Sequence, residues 1–393
     1  MLKYLKIFSF GGNFLIKERL FTPGPVPLPP QVIKALGQQI IHHRTPEFTN
    51  IFLQTREKLQ KLLNTNRDVL MFASSGTGAM EASIINFFNE KDKVLVINAG
   101  KFGERWRDLA KTFGLQVIDY QIEWGKTYDK DKVSEFIKNN PDLKGILVQH
   151  SETSTTTLHD LKFLAEVSAS LEDCLLVVDG ITSVGVYKVF PEEIGIDILI
   201  TGSQKALMLP PGLSVLYYSE KAEKRLERSN LPKYYFSVKA ESKKQAKGQT
   251  AYTPAINLII ALNESLNLIL EEGLDNLEKR HSILAQMTRE AMKELGLKLL
   301  SESPSNSATG VFTPEGIDAD KFRKDLLKIG VRVAGGQDHL KGKIIRIAHM
   351  GYFDYLDMIE VISAIEIALY KNGYKVDLGK GVKKAQEIYI NSL

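Results

Sequence analysis

The chain has 393 residues, 44% of them apolar and 25% charged, a balance that fills a large globular core over two or three domains. Its 51 basic and 47 acidic residues leave a net charge of +4, too slight a bias for a surface built to hold nucleic acid or a membrane. The one cysteine, Cys174, excludes an intrachain disulfide framework and any multi-cysteine metal or iron–sulfur centre, and it fits a reducing, cytoplasmic setting.

Residues 1–14 are mildly basic and apolar, but the apolar run is short and no small-residue cleavage site follows. An arm over 1–20, packing on the core or a partner, is expected there rather than a targeting signal. No stretch approaches the ~20 apolar residues of a membrane span. An apolar run at 69–73 leads into Ser74-Ser75-Gly76-Thr77-Gly78 and then an amphipathic helix to about residue 88. Strand-like runs recur at 94–98, 115–120, 145–149, 174–178, 197–201 and 214–218. Helical patterns at 104–113, 130–139 and 161–171 lie between them. Near-continuous apolar strands alternating with helices predict a mainly parallel sheet covered on both faces, with ligands at the carboxyl ends of its strands.

After about residue 220 the pattern changes. A charged helix at 221–228 gives way to a polar, lysine-rich connection at 233–249, then to helices at 254–270 and 273–295. A smaller α/β unit closes the chain, with strands at 308–313 and 344–348 and helices at 320–329 and 354–370. The charge-rich stretch 375–387 reads as a solvated surface segment. The domains expected are the arm, a large ligand-binding domain at 21–255 and a small domain at 256–393.

Three features carry chemistry. Ser75-Gly76-Thr77 opens a helix after a strand, where free N–H groups and the helix dipole favour an anion such as a phosphate. It lacks the lysine of a P-loop and the downstream acid of a dinucleotide fingerprint. Asp179 ends one apolar run, and Lys205 follows another in Thr201-Gly202-Ser203-Gln204-Lys205. A lysine and a carboxylate at the ends of neighbouring strands are what a pyridoxal phosphate enzyme needs: an amine for the internal Schiff base and an acid for the pyridine nitrogen. Taken singly, Lys205 is an ordinary loop lysine and Asp179 an ordinary cap; their combination is what points to the cofactor.

The order Ser-Gly-Thr-Gly-Ala-Met-Glu (75–81), Val-Asp-Gly (178–180) and Gly-Ser-Gln-Lys (202–205) resembles the class V aminotransferases of fold type I, in the alanine–glyoxylate and serine–pyruvate branch. Thr-Pro-Gly-Pro (22–25) and Gly-Lys-Ile-Ile-Arg-Ile-Ala-His-Met-Gly (342–351) belong to the same pattern, so the resemblance runs from about 19 to 371. It implies pyridoxal 5'-phosphate as cofactor, joined to Lys205, with Asp179 at the ring nitrogen and Phe102 stacked on the ring. It places Thr153 at the phenolic oxygen and Ser75, Gly76, Thr77 and Gln204 around the phosphate. Thr253 would reach the phosphate from the other subunit of a homodimer with shared active sites. Where some relatives have a tyrosine three residues earlier, this chain has Thr250, and Tyr252 directly precedes Thr253. Arg346 would clamp the substrate carboxylate, backed by His349 and Met350, with Gly24, His43 and Arg44 near the mouth of the site.

The reaction implied is transamination between a small amino acid, alanine or serine, and a 2-oxo acid, glyoxylate or pyruvate. Aspartate or phosphoserine specificity is the nearest alternative, with Arg44 or Lys341 as the extra cation. A non-catalytic subunit of a larger assembly is a further one, disfavoured by the presence of both Lys205 and Asp179. A cysteine desulfurase is disfavoured because Cys174 stands at the wrong end of its strand for a mobile thiolate, and because Phe102 replaces a histidine. The histidines show no metal spacing.

Overall fold

A computed structural model describes residues 15–393; the expected arm lies mostly outside them. The main element is a seven-stranded sheet. Its strands run, edge to edge, Val69–Phe72, Ser214–Tyr218, Ile198–Gly202, Leu175–Asp179, Gly145–Gln149, Lys93–Asn98 and Gln116–Gln121. All are parallel except Ser214–Tyr218, which is antiparallel to both its neighbours. The continuous apolar runs follow from this layering, because alternate residues serve opposite cores. Val148, Val178 and Leu199 join one core with the helices Pro46–Leu63 and Ile256–Glu272. Leu147, Val177 and Ile200 join the other, with Gly76–Phe87 and the buried Trp106 of Lys101–Thr112.

A second, four-stranded sheet has the order Arg19–Phe21, Val331–Gly335, Ile344–Ala348, Ala308–Phe312. The pair Arg19–Phe21 and Val331–Gly335 is parallel and the other pairs are antiparallel. Part of the segment read as an arm is therefore a strand of the C-terminal sheet. The helices Leu274–Glu294, Ala319–Lys328 and Tyr355–Lys371 cover this sheet around a core of its own.

Two stretches differ from the sequence reading. The polar connection at 233–249 contains a helix, Val238–Gln245, started by the Ser237 hydroxyl accepting from Ala240 N–H. Its Gln245 amide accepts from Met71 N at 3.0 Å and donates to Met71 O at 2.7 Å, standing in for a further strand at the sheet edge. The supposed solvated tail is also structured: Lys380–Ser392 is a helix. Its Ala385 is buried, Val382 and Ile388 pack on the C-terminal core, and Tyr389 stacks on Tyr355 at 4.1 Å. The buried Glu366 carboxylate anchors its start by accepting from Gly379 N and Gly381 N, both at 2.7 Å, and Val382 N at 3.2 Å. A carboxylate at a helix start is favoured by the dipole, which explains a buried acid in an otherwise apolar helix face.

Candidate active site

Asp179 is the last residue of its strand, in register with Gln149 on one side and Ile200 on the other. Gly180 follows within a tight turn: a Cβ there would come within 2.8 Å of Leu199. The carboxylate is 4% exposed; its Oδ1 accepts from Ile181 N at 2.8 Å, and it enters no ion pair among the described residues. Burial pushes its pKa up to about 7, with the carboxylate of Glu152 adding to the rise and the Ile181 N–H, Arg105 and Lys205 working against it.

Lys205 lies three residues past Ile198–Gly202, on a turn closed by Ser203 N to Leu213 O at 2.9 Å and Ser203 Oγ to Pro210 O at 2.7 Å. Its Nζ donates to Pro23 O, and a Cβ on Gly24 would fall 2.3 Å from that nitrogen. Gly24, at φ +99°, is thus a glycine by necessity: no side chain fits beside the amine. Burial first, then the Arg346 charge, lower the Lys205 pKa to about 8, with Asp179 working against both.

Arg346 is the central residue of Ile344–Ala348 and is almost buried. Its Nε donates to Gly335 O at 3.0 Å and its Nη1 to Thr153 O at 2.7 Å. Its pKa falls to about 10 from burial, with Glu152 partly restoring it. His349 does not back it. That ring bonds Thr309 Oγ1 at 2.9 Å and Asn306 O at 2.8 Å instead, because the strand ends at Ala348 and the chain turns away.

The expected helix starts at the Ser75-Gly76-Thr77 stretch. Ser75 caps Gly76–Phe87 in an extended conformation, with no side-chain capping bond. A Cβ on Gly76 would meet Ile181 at 2.3 Å, so this glycine lets the helix start approach the Asp179 turn. The backbone N of Gly76 and the Gln204 Oε1, buried without a partner, both face Gly202. Thr153 is buried with its hydroxyl 3.0 Å from Thr182 Oγ1. Phe102 is half-buried at the first turn of Lys101–Thr112.

Three further predicted residues have only local contacts in the structure. His43 and Arg44 lie on the turn before Pro46–Leu63, where the His42 and His43 rings pack at 4.7 Å and Arg44 N donates to His42 Nδ1. Thr253 is exposed, beside a tyrosine cluster in which Tyr252 stacks on Tyr235 at 5.1 Å and donates to Tyr234 O.

Two residues went unnoticed in the sequence. Arg105 Nη1 donates to Thr77 Oγ1 at 3.1 Å, and its guanidinium sits 4.9 Å from the Phe102 ring centre. Glu152, fully buried, accepts from Phe102 N at 3.1 Å, Gly103 N at 3.2 Å and Ser154 N at 3.0 Å. It ties the turn bearing Thr153 to the helix bearing Phe102. Its place beside Thr153 in Ser151-Glu152-Thr153 was the only hint available. Cys174 is buried at the start of its strand with its pKa raised to about 11, and five residues of extended chain, roughly 16 Å, separate it from Asp179.

A doubly covered, mainly parallel sheet with a lysine, an acid and a glycine-bearing helix start at its carboxyl edge defines a fold-type-I enzyme of the pyridoxal phosphate-dependent aminotransferases. The family model for class V aminotransferases matches residues 20–350, and the chain belongs to that family. The soluble hydrogenase 42 kDa subunit of Anabaena cylindrica is 39% identical over 381 residues, covering 95% of this chain and 99% of that one. The serine–glyoxylate aminotransferase of Methylorubrum extorquens is 34% identical over 94% of this chain and 95% of its own. Among solved structures, the subgroup IV aspartate aminotransferase of Thermus thermophilus superposes with a TM-score of 0.85 at 34% identity, covering 90% of this chain and 99% of that one.

Proposed function

We propose that the chain moves the amino group of alanine or serine to glyoxylate or pyruvate, with pyridoxal 5'-phosphate held at the edge of the main sheet and the site completed by a second copy. The carrying observation is the buried Lys205 amine, drawn down to about 8 by burial and the Arg346 charge, with Asp179 acting on it from the other side.

The residues fit the cofactor. Asp179 is a buried carboxylate in no ion pair among the described residues, the environment that suits a protonated ring nitrogen. Gln204 has an orphaned buried amide oxygen at the helix start, and Gly76, Ser75 and Thr77 offer backbone and hydroxyl donors for a phosphate. Phe102 offers a ring face and Thr153 a hydroxyl. Thr253, exposed in the single chain, would serve the partner's site, and that exposure supports the homodimer reading.

Bound there, pyridoxal phosphate supplies the electron sink for breaking the Cα–H bond. The protein supplies the rest. Arg346 receives the substrate carboxylate on its guanidinium fork, fixing which substituent of Cα lies out of the ring plane. Lys205 would be the group that moves the proton at Cα, and burial, which brings its pKa to about 8, favours a neutral amine for that role. With one water consumed, the amino acid would leave as its 2-oxo acid and its amino group would stay with the cofactor; the second oxo acid would take up that group with release of water.

The name of the Anabaena relative raises a hydrogenase role, but this chain's single cysteine cannot supply the four thiolate ligands of an iron–sulfur cluster. The test is a half-reaction screen of holoenzyme with alanine, serine, aspartate and phosphoserine, followed by glyoxylate and pyruvate. Conversion by alanine or serine with either acceptor supports the proposal. Preference for aspartate or phosphoserine transfers the assignment to an acidic donor, and silence with every donor removes it.

A further inference from the structure

Thr153, whose carbonyl holds Arg346, sits on a hairpin between the short strands Ser151–Glu152 and Thr157–Leu158. The four-residue loop ends at Thr156, which has φ +57°. A buried β-branched residue in the left-handed region is unfavourable, and glycine or asparagine is the usual occupant. The other left-handed residues outside glycine are not β-branched: Asn64, Lys91, Met208 and Asp338. Something in the surroundings holds Thr156 there.

The holding contacts lead to Arg346. The Thr156 hydroxyl accepts from Gly310 N at 3.2 Å, and Thr156 O accepts from Ser305 N at 2.9 Å. Gly310 pairs with Arg346 across the antiparallel strands Ala308–Phe312 and Ile344–Ala348. The Gly310 carbonyl accepts from Leu300 N at 2.9 Å, so both of its backbone groups point away from Arg346. The two therefore form the close, non-hydrogen-bonded kind of pair, with Cα atoms roughly 4.5 Å apart. A Cβ on Gly310 would meet Thr156 Oγ1 at 2.9 Å, so the threonine fills the space that a side chain opposite Arg346 would take. The hairpin thus bonds the arginine directly at its guanidinium through Thr153 O, and through the Thr156 hydroxyl it holds Gly310, the residue paired with Arg346 on the neighbouring strand.

We propose that Thr156 is a positioning residue for the substrate-carboxylate clamp, its strained conformation kept because the hydroxyl sets where Arg346 stands. The inference rests on Arg346 being the carboxylate ligand. Thr156→Val keeps the shape and removes the acceptor, leaving the Gly310 N–H unpaired. In the holoenzyme half-reaction, the apparent Kd for the amino acid rises about tenfold while the rate at saturation changes much less. Binding of ethylamine, which lacks the carboxylate, and cofactor affinity stay at wild-type values. Thr156→Asn, whose amide oxygen is an acceptor and whose backbone tolerates this region, restores most of the affinity. It also serves if the valine variant fails to fold, since Thr156→Gly then supplies the acceptor-free comparison. Arg346→Gln is the control. Weak amino-acid binding in Arg346→Gln but wild-type binding in Thr156→Val overturns the positioning role alone. Wild-type binding in both overturns the clamp and this inference with it. Equal weakening toward alanine and ethylamine in Thr156→Val marks a general structural role and also overturns it.

Discussion

Asp179→Asn separates what the fold wants from what the site wants. In the wild-type apoprotein the carboxyl sits at about 7 against an ordinary 3.8, a rise of about three units, or on the order of 4 kcal/mol. The sign follows from linkage. A raised native pKa leaves stability untouched below about pH 4, where both states are protonated. Stability is then lost progressively up to about pH 7, as the unfolded chain ionises first. Asparagine keeps the oxygen that accepts from Ile181 N and carries no charge to bury. Apoprotein carrying Asp179→Asn is therefore more stable than wild type at pH 8 by up to about 4 kcal/mol, and near parity at pH 4. Urea unfolding of both apoproteins at pH 4, 6 and 8 reads this directly, and holoprotein reverses the order because the variant has lost its ring-nitrogen partner. A difference that is flat with pH, or a variant less stable than wild type at pH 8, refutes the reading of Asp179 as an unpaired buried acid.

Further outcomes are as concrete. Lys205→Ala abolishes the hydride-fixable cofactor adduct, read by mass spectrometry; a persisting adduct at another lysine displaces Lys205 from its role. Glu366→Ala removes three N–H acceptors at the start of Lys380–Ser392 and costs about 2–4 kcal/mol, with faster amide exchange confined first to that helix. Unchanged exchange there would mean that Tyr389–Tyr355 packing alone anchors the helix. Dilution to a monomer weakens cofactor retention, checked by absorbance after gel filtration; full retention in a verified monomer disqualifies Thr253 as a shared ligand.

The main sheet was legible because both of its faces are buried, so its strands stand out as unbroken apolar runs ended by Asp179 or by Gly202-Ser203. The strand Val331–Gly335 was not seen, since Arg332 is exposed and the run has only two buried residues. The terminal helix was hidden by its charged outer face, although Val382, Ala385 and Tyr389 carry a helical spacing. Lys205, Asp179 and Arg346 were readable as types at the ends or centres of such runs. Glu152, Arg105 and Thr156 were not, because each acts through backbone groups or side chains 28 to 154 residues away in the chain. His349 misled for a related reason: adjacency to Arg346 in sequence does not survive the end of the strand.

The single reversed strand has a consequence for how the site comes into being. Every other strand of the main sheet is reached by a long excursion, but Ser214–Tyr218 returns beside Ile198–Gly202 after only the turn that carries Lys205. That turn closes a short loop at small entropic cost, and the bonds that close it, from Ser203 to Leu213 and Pro210, are local in the chain, whereas the amine itself leans on Pro23. Arg346 arrives from 141 residues downstream, on a sheet that also needs the strand Arg19–Phe21. A partly unfolded chain can thus keep the backbone of the Lys205 turn while both the Pro23 contact to its amine and the Arg346 grip are missing, because the segment after Arg19–Phe21 and the strand Ile344–Ala348 depend on the same C-terminal sheet.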